Sequence, residues 1–276
     1  MNEVQNINAI SRTSSSSSSL SNSEVRNLLT MEQIEENRSN LIGFNLLVWI
    51  TEGLGIILFC LVLFWSIHFG GGFAWSSDLN LQFNWHPFFM VTGMVILYSQ
   101  SILIYRIFRE KRKRQLKILH AALHGIVFLL AVIALKAVFD NHNYSTPPKP
   151  NLYSLHSWMG LTTVILFACQ YVSGFVTFLY PGLQLSVKVL YMPVHVFFGL
   201  AGFVMAVATC IIGLNEKAFL KLSATYGDLP SEGLLVNFIG TILLIFSFFV
   251  IYIVTKYEYK RFAKDEDGNL LTGRQD

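Results

Sequence analysis

Residues 118–139 read ILHAALHGIVFLLAVIALKAVF, with the basic run REKRKR at 109–114 ahead of them and Asp140-Asn141-His142 behind. These 22 residues hold one lysine and two histidines, so no polar stripe is left at a 3.6-residue period to face water. At 1.5 Å per residue the stretch is long enough to cross about 30 Å of hydrocarbon. A membrane-spanning helix is the reading, and the rest of the chain is parsed outward from it.

Five more stretches have the same character: roughly 41–68, 85–105, 154–180, 187–214 and 233–255. Composition agrees. The chain has 276 residues, 53% hydrophobic and 13% charged, against about 25% charged in a soluble domain, and its mean hydropathy is +0.49. An ordinary soluble globule is excluded. The expected fold is all-α and polytopic, with six transmembrane helices over residues 41–257. Residues 1–40, which include the unbroken run Ser14–Ser19, are expected to form a disordered cytosolic tail, and 258–276 a cytosolic C-terminal tail. No apolar segment with a cleavage site precedes the first span, which is therefore expected to act as the insertion signal. Cys60, Cys169 and Cys210 all lie in apolar runs without CxxC spacing, which argues against a disulfide framework or a thiolate metal site.

The charge is sorted by position. With the N-terminus in the cytosol, sixteen of the 20 Lys and Arg fall on that side, and Lys149, Lys217 and Lys221 fall on the other. Lys and Arg resist translocation, so both termini are expected to be cytosolic. The net charge of +3 marks sidedness and gives no reason to expect nucleic acid. Trp75, Trp85, Trp158, Tyr153 and Tyr257 fall near the expected membrane interfaces, as aromatic belts do. Membrane lipid is the implied surrounding.

An imidazole in hydrocarbon must find a partner. His86 starts the second span on the outer side, His120 the third on the inner side, His156 the fourth on the outer side, and His195 lies about two turns into the fifth. Alternating helix direction then yields two pairs at two depths, His86 with His156 and His120 with His195. His124, one turn deeper than His120 on the same face, matches His195 in depth at least as well, and the residues alone leave both open. No HExxH, carboxylate cluster or thiolate accompanies these histidines, so zinc is a poor fit. Two histidines on facing helices suit a haem, whose macrocycle supplies the other four ligands. Small residues flank the sites: Ala121, Ala122, Gly125, Gly160, Gly199, Ala201 and Gly202. They equally let bare helices pack closely. A histidine-lined divalent-metal or proton transporter is the alternative in a different class. His68 and His142 sit at or beyond outer helix ends, where solvated histidine is the simple reading. Lys136 either snorkels or binds an anion, and Glu52 either pairs with a base or accepts a proton.

The same residues spell motifs. Asn84-Trp85-His86-Pro87, His120-Ala121-Ala122-Leu123-His124, Tyr153-Ser154-Leu155-His156-Ser157-Trp158, Met192-Pro193-Val194-His195 and SILIYRIFR at 101–109 together resemble the cytochrome b561 family of ascorbate-dependent transmembrane ferric reductases. The resemblance covers about residues 45–262, and details such as Gly72–Trp75 and Asn215-Glu216-Lys217 look most like its lysosomal branch. It implies a central four-helix bundle with two b-type haems, ligated by His86 with His156 and by His120 with His195, and so favours His120 over His124. It implies that cytosolic ascorbate gives one electron to the inner haem, which passes it to the outer haem and on to ferric iron or monodehydroascorbate. No nucleophile or general base is needed.

Other positions are carried over from the family in the same way. Arg106, Lys113, Asn151, Leu152, Tyr153, Ser154, Glu216 and Lys260 correspond to haem contacts, Lys113, Lys117 and Lys188 to ascorbate contacts, and His142 to the outer substrate or metal site. The family commonly has arginine where this chain has Lys188. A homodimer is also implied. Glu24–Leu29 has the E-x-x-x-L-L form read by sorting adaptors, which with the lysosomal likeness points to a late endosome or lysosome membrane, the plasma membrane being the alternative. Asn143-Tyr144-Ser145 is a glycosylation sequon in an outer loop.

Overall fold

The computed structural model describes residues 22–261. The chain divides into two units, Met1–Asn45 and Leu46–Asp276. The described part of the first is helical from Asn22 onward, and the second contains all the later helices. Helix α1 runs Asn22–Phe64 and passes into a π turn, Trp65–Phe69. The helix includes residues 22–40, part of the segment 1–40 whose composition led to an expectation of disorder. After the serine run the sequence turns to Glu, Leu, Arg, Met and Gln, which are good helix formers whatever their polarity. Residues 1–21 and 262–276, and the side chains of Glu24–Leu29, lie outside the described residues.

Among the described residues six helical segments are long and apolar enough to cross a membrane: Gly43–Phe69, Leu79–Ile107, Lys113–Tyr144, Leu155–Phe178, Leu185–Asp228 and Ser231–Thr255. All six expected spans are present, and several extend past their apolar limits because polar residues do not themselves end a helix. The second begins earlier than its hydropathy suggests, because the Asp78 carboxylate accepts from the backbone N–H of Asn80 at 2.8 Å and of Leu81 at 3.2 Å. That N-cap opens α2 (Leu79–Phe83), which leads into α3 (Trp85–Phe89). Pro87 has no N–H to continue the ladder, and the chain proceeds through a π segment, Met90–Leu97, before α4 (Tyr98–Ile107). The later helices are α5 (Lys113–Tyr144), α6 (Leu155–Phe178), α7 (Leu185–Leu222) and α8 (Ser231–Thr255).

The second span, α5, α6 and α7 close into a ring, with the π segment contacting both α5 and α7. Close approach rests on small residues. Ala131, Ala134 and Ala137 on α5 are wholly buried, and a Cβ on Gly93 of the π segment would stand 3.2 Å from Leu130. Outside this ring α8 packs on α7 and α4, burying Ile239, Leu243, Phe246, Val250 and Ile253 completely. The outward surface is apolar: Trp49 is 75% exposed, Leu190 79%, Phe197 66% and Phe248 60%. A water-facing surface would not carry so many large apolar groups, whereas hydrocarbon imposes no cost on them.

Polar anchors sit at the helix ends. Trp65 donates its indole N–H to Glu232 at 3.0 Å, and Lys221 pairs with the same carboxylate at 2.7 Å while donating to the Phe69 carbonyl. This cluster ties the end of the first span to α7 and α8. Asn84 donates to the carbonyls of Gly70 and Gly72, and a Cβ on Gly70 would collide with that amide at 2.8 Å. The glycines at 70–72, two of them at positive φ, are therefore what the Asn84 clamp requires.

Candidate functional site

At the end of the ring opposite the basic loop 107–113, His86 of α3 faces His156 of α6 with ring centroids 6.1 Å apart and planes at 88°. His86 Nδ1 lies 3.2 Å from the Ala134 carbonyl and His156 Nδ1 lies 3.0 Å from the Thr209 carbonyl. A carbonyl only accepts, so each neutral ring carries its hydrogen on Nδ1 and keeps the Nε2 lone pair free. That is how metal-ligating imidazoles are held in place. Across α7, a Cβ on Gly213 would stand 2.5 Å from His156 Cε1.

At the basic end the arrangement recurs. His120 of α5 and His195 of α7 have centroids 6.3 Å apart at 74°. His120 Nδ1 lies 2.9 Å from the Ser101 carbonyl and 3.0 Å from its hydroxyl, which is also 3.0 Å from the His120 carbonyl. His195 packs on Gly174 of α6, where a Cβ would stand 2.7 Å from its Cε1, and its Nδ1 is buried without a partner. Helices α6 and α7 thus each offer a glycine to the other's histidine.

Both separations match one metal ion between two rings. A metal–nitrogen bond of about 2.0 Å on each side, plus about 1.1 Å from each nitrogen to its ring centre, sums to about 6.2 Å. Between the pairs lies an aromatic layer. His124 meets His120 edge-on at 4.5 Å and Tyr98 at 4.8 Å, and Tyr98 contacts Phe167 and Phe203 while donating to the Gly199 carbonyl at 2.7 Å. His124 is buried in this layer with no partner on Nδ1, whereas His120 has the anchored ring.

Around His86 and His156 opens a cavity of about 550 Å³. It gathers the outer residues singled out from sequence: Asn151, Leu152, Tyr153, Ser154, Glu216 and His142 all line it. Ser154 caps α6 through the N–H of Ser157, and Leu152, at positive φ, accepts from the Trp158 indole. His142 Nδ1 lies 3.2 Å from Asn151, whose amide donates to Asn143. Tyr153 donates to Glu216 at 3.5 Å, and desolvation followed by that carboxylate's charge holds its hydroxyl above the usual phenol range. Lys149 and Lys217, given no site role from sequence, line the same cavity. Lys136 pairs with Asp140 at 2.8 Å, and Glu52 accepts from Gln100 at 3.0 Å. Among the described residues no three His, Cys, Asp or Glu converge as a metal cluster.

At the basic end, Lys117 donates to the Phe178 carbonyl at 3.4 Å, and Lys188 Nζ lies 3.6 Å from where a Cβ of Gly182 would be. The two lysines thus approach the α6–α7 turn. Arg106 donates to the carbonyls of Val254 and Lys256, closing the C-terminus of α8, a role that sequence did not suggest. Lys113 is the first residue of α5 and Lys260 is exposed beyond α8. Sequence reasoning also missed Gly174 and Gly213, although each lies eighteen residues after a paired histidine, Gly174 after His156 and Gly213 after His195. That common spacing of five helical turns was the available signal.

Residues 85–221, which contain both pairs, match the family model described as eukaryotic cytochrome b561. A lysosomal membrane ascorbate-dependent ferrireductase of Bos taurus is 44% identical over 213 residues, covering 75% of this chain and 79% of that protein. Its Homo sapiens counterpart is 42% identical over 227 residues, covering 80% and 91%. A transmembrane ascorbate-dependent reductase of Bos taurus is 40% identical over 214 residues, covering 78% and 83%.

Proposed function

The chain belongs to the eukaryotic cytochrome b561 family, and from that membership and the two imidazole pairs we propose that it is an ascorbate-dependent transmembrane ferric reductase. One electron crosses the membrane from cytosolic ascorbate to ferric iron or monodehydroascorbate on the other side. The observation that carries the reading is the recurrence of a 6.1 Å and a 6.3 Å imidazole pair at opposite ends of one four-helix ring.

The residues fit two b-type haems. His86 with His156, and His120 with His195, would hold them, and the glycine faces, the 550 Å³ cavity and the orphaned His195 Nδ1 support this. When bound, each haem supplies an iron couple that takes up and releases one electron. The chain's own part is to hold His86, His120 and His156 by carbonyls that fix the tautomer. Arg106, Lys113 and Lys260 are the cations for carboxylates at the basic end. At the other end the turn Asn151, Leu152, Tyr153 and Ser154 offers backbone donors at the start of α6, with Glu216 beside it.

Lys113, Lys117 and Lys188 are the proposed ascorbate contacts and His142 the contact on the acceptor side. Ascorbate monoanion losing one electron also releases one proton, and both charges are produced among these cations. The sixteen-to-three bias of basic residues supports cytosolic termini, and the likeness to lysosomal reductases supports a late endosome or lysosome membrane. A homodimer, a sorting adaptor at Glu24–Leu29 and a glycan on Asn143 complete the proposal.

The test is direct. Purified chain should be red, with two haems per polypeptide, and ascorbate-loaded vesicles containing it should reduce external ferric chelate. Colourless protein that moves divalent metal or protons would replace this reading with a transporter.

A further inference from the structure

Three of the four paired imidazoles are anchored by one spacing rule. The carbonyl at His86 Nδ1 belongs to Ala134, fourteen residues after His120. The carbonyl at His156 Nδ1 belongs to Thr209, fourteen after His195. The carbonyl at His120 Nδ1 belongs to Ser101, fifteen after His86. The extra residue falls in the π segment Met90–Leu97 between them, since a π turn uses one residue more than an α turn. Each of these histidines thus has, about four turns further along its own span, the acceptor for a ring on the neighbouring helix.

The rule has a fourth member. Fourteen residues after His156 stands Gln170, one turn before Gly174, on which His195 packs. Thr209 stands likewise one turn before Gly213, on which His156 packs. The two helices repeat each other in sequence as well: His156 and His195 are each followed at the fourth and fifth positions by Gly-Leu, Gly160-Leu161 and Gly199-Leu200. Yet Nδ1 of His195 is buried with no hydrogen-bond partner among the described residues, and so is Oε1 of Gln170. One atom lacks an acceptor, the other lacks a donor, and the spacing assigns them to each other. The Gln170 backbone carbonyl accepts instead from the Ser173 hydroxyl at 3.4 Å, and that hydroxyl lies 2.6 Å from the hydroxyl of Tyr191, one turn before His195. A single bond would relieve two buried polar groups of their desolvation cost.

We propose that Gln170 is the positioning residue of His195, its side-chain carbonyl accepting the Nδ1 hydrogen as a backbone carbonyl does for the other three rings. This rests on the electron-transfer reading above, in which His195 holds the basic-end haem. A backbone acceptor has the same strength whatever the side chain, whereas an amide side chain can be exchanged. The acceptor at Nδ1 sets the basicity of the ligating ring, and with it the preference of the iron for its oxidised form. The basic-end centre is therefore the one whose affinity for the electron a single side chain governs.

The experiment compares full-length holoprotein as wild type, Gln170→Glu and Gln170→Met, by potentiometric titration at alkaline pH and electron paramagnetic resonance of the oxidised protein. The basic-end centre is identified as the one lost in His120→Ala. Gln170→Glu sets a carboxylate at the ring and should favour the oxidised form of that centre about tenfold, a fall in midpoint of about 59 mV for one electron. Gln170→Met, similar in length but without the acceptor, should raise the same midpoint and move the largest g value of that centre as the ring turns. The His86–His156 centre should keep its midpoint and g values in both variants. An unchanged basic-end centre in both variants would overturn the proposal, and so would shifts of the same sign in the two or equal displacement of both centres. If Gln170→Met does not retain its haem, Gln170→Glu decides alone: a fall in midpoint supports the proposal, and no change or a rise overturns it. Wild type purified without haem would instead remove the electron-transfer reading itself.

Discussion

The Cε1 of His156 lies 2.5 Å from the point where a Cβ on Gly213 would stand, and the Cε1 of His195 lies 2.7 Å from the corresponding point on Gly174. Real Cβ atoms do not approach so closely, so each glycine is an imidazole seat. Gly213→Ala should push the His156 ring off its axis at a cost of about 1–3 kcal/mol and lower haem content towards one per chain. Gly174→Ala should do the same to the other centre. Haem-to-protein ratio and electron paramagnetic resonance of the oxidised protein read the outcome, and two normal haems in both variants would refute the seating.

The anchored ring is His120, and His124 lies in the aromatic layer. His120→Ala should therefore lose the basic-end haem and His86→Ala the opposite one, while His124→Phe keeps both. Haem quantitation with spectra of the reduced protein separates these cases. Loss of a haem in His124→Phe together with retention in His120→Ala would reverse the assignment.

Ser101 gives His120 a hydroxyl as well as a carbonyl. Ser101→Ala should leave the carbonyl bond in place, cost about 1 kcal/mol, and shift the midpoint potential of one centre only. A potentiometric titration resolving both centres checks this, and equal displacement of the two would count against it.

Glu232 is 8% exposed and binds Trp65 and Lys221 together. Glu232→Gln leaves Lys221 beside a neutral group. Since that lysine is partly exposed, the loss should be about 1–3 kcal/mol, less than for a fully buried pair. Thermal unfolding in detergent should begin earlier while both haems remain bound.

Lys188 approaches the Gly182 turn as a point charge. Lys188→Arg supplies a planar fork that can grip an oxyanion with two bonds, and should lower KM for ascorbate about two- to fivefold with kcat little changed. A raised KM would show that the turn is built for an ammonium.

The six spans and the two depths of histidine were legible because hydrocarbon demands long apolar runs and penalises each imidazole within them. Helix limits were less so. Asp78 starts α2 six residues before the apolar run expected at 85, and the helical residues 22–40 are too polar for a hydropathy scan to notice. The ring's interior was largely hidden. Tyr98, Phe167 and Phe203 look like any other aromatics in an apolar helix, and their convergence depends on how the π segment turns the second span. One helical turn of depth does not distinguish His120 from His124; the family resemblance favoured His120, and the Ser101 carbonyl that anchors its ring supports that proposal. Lys149 and Lys217 looked like minor exceptions to a charge bias until one cavity brought them together.

The Nδ1 atoms of His86, His120 and His156 each meet a backbone carbonyl, which has no proton to give or take at any physiological pH. The electron transfer proposed for the chain would then cross with no proton carried by these bonds, so the proposal implies a turnover that feels the membrane voltage at about 2.3 kcal/mol for each 100 mV and needs a compensating ion to return by another pathway.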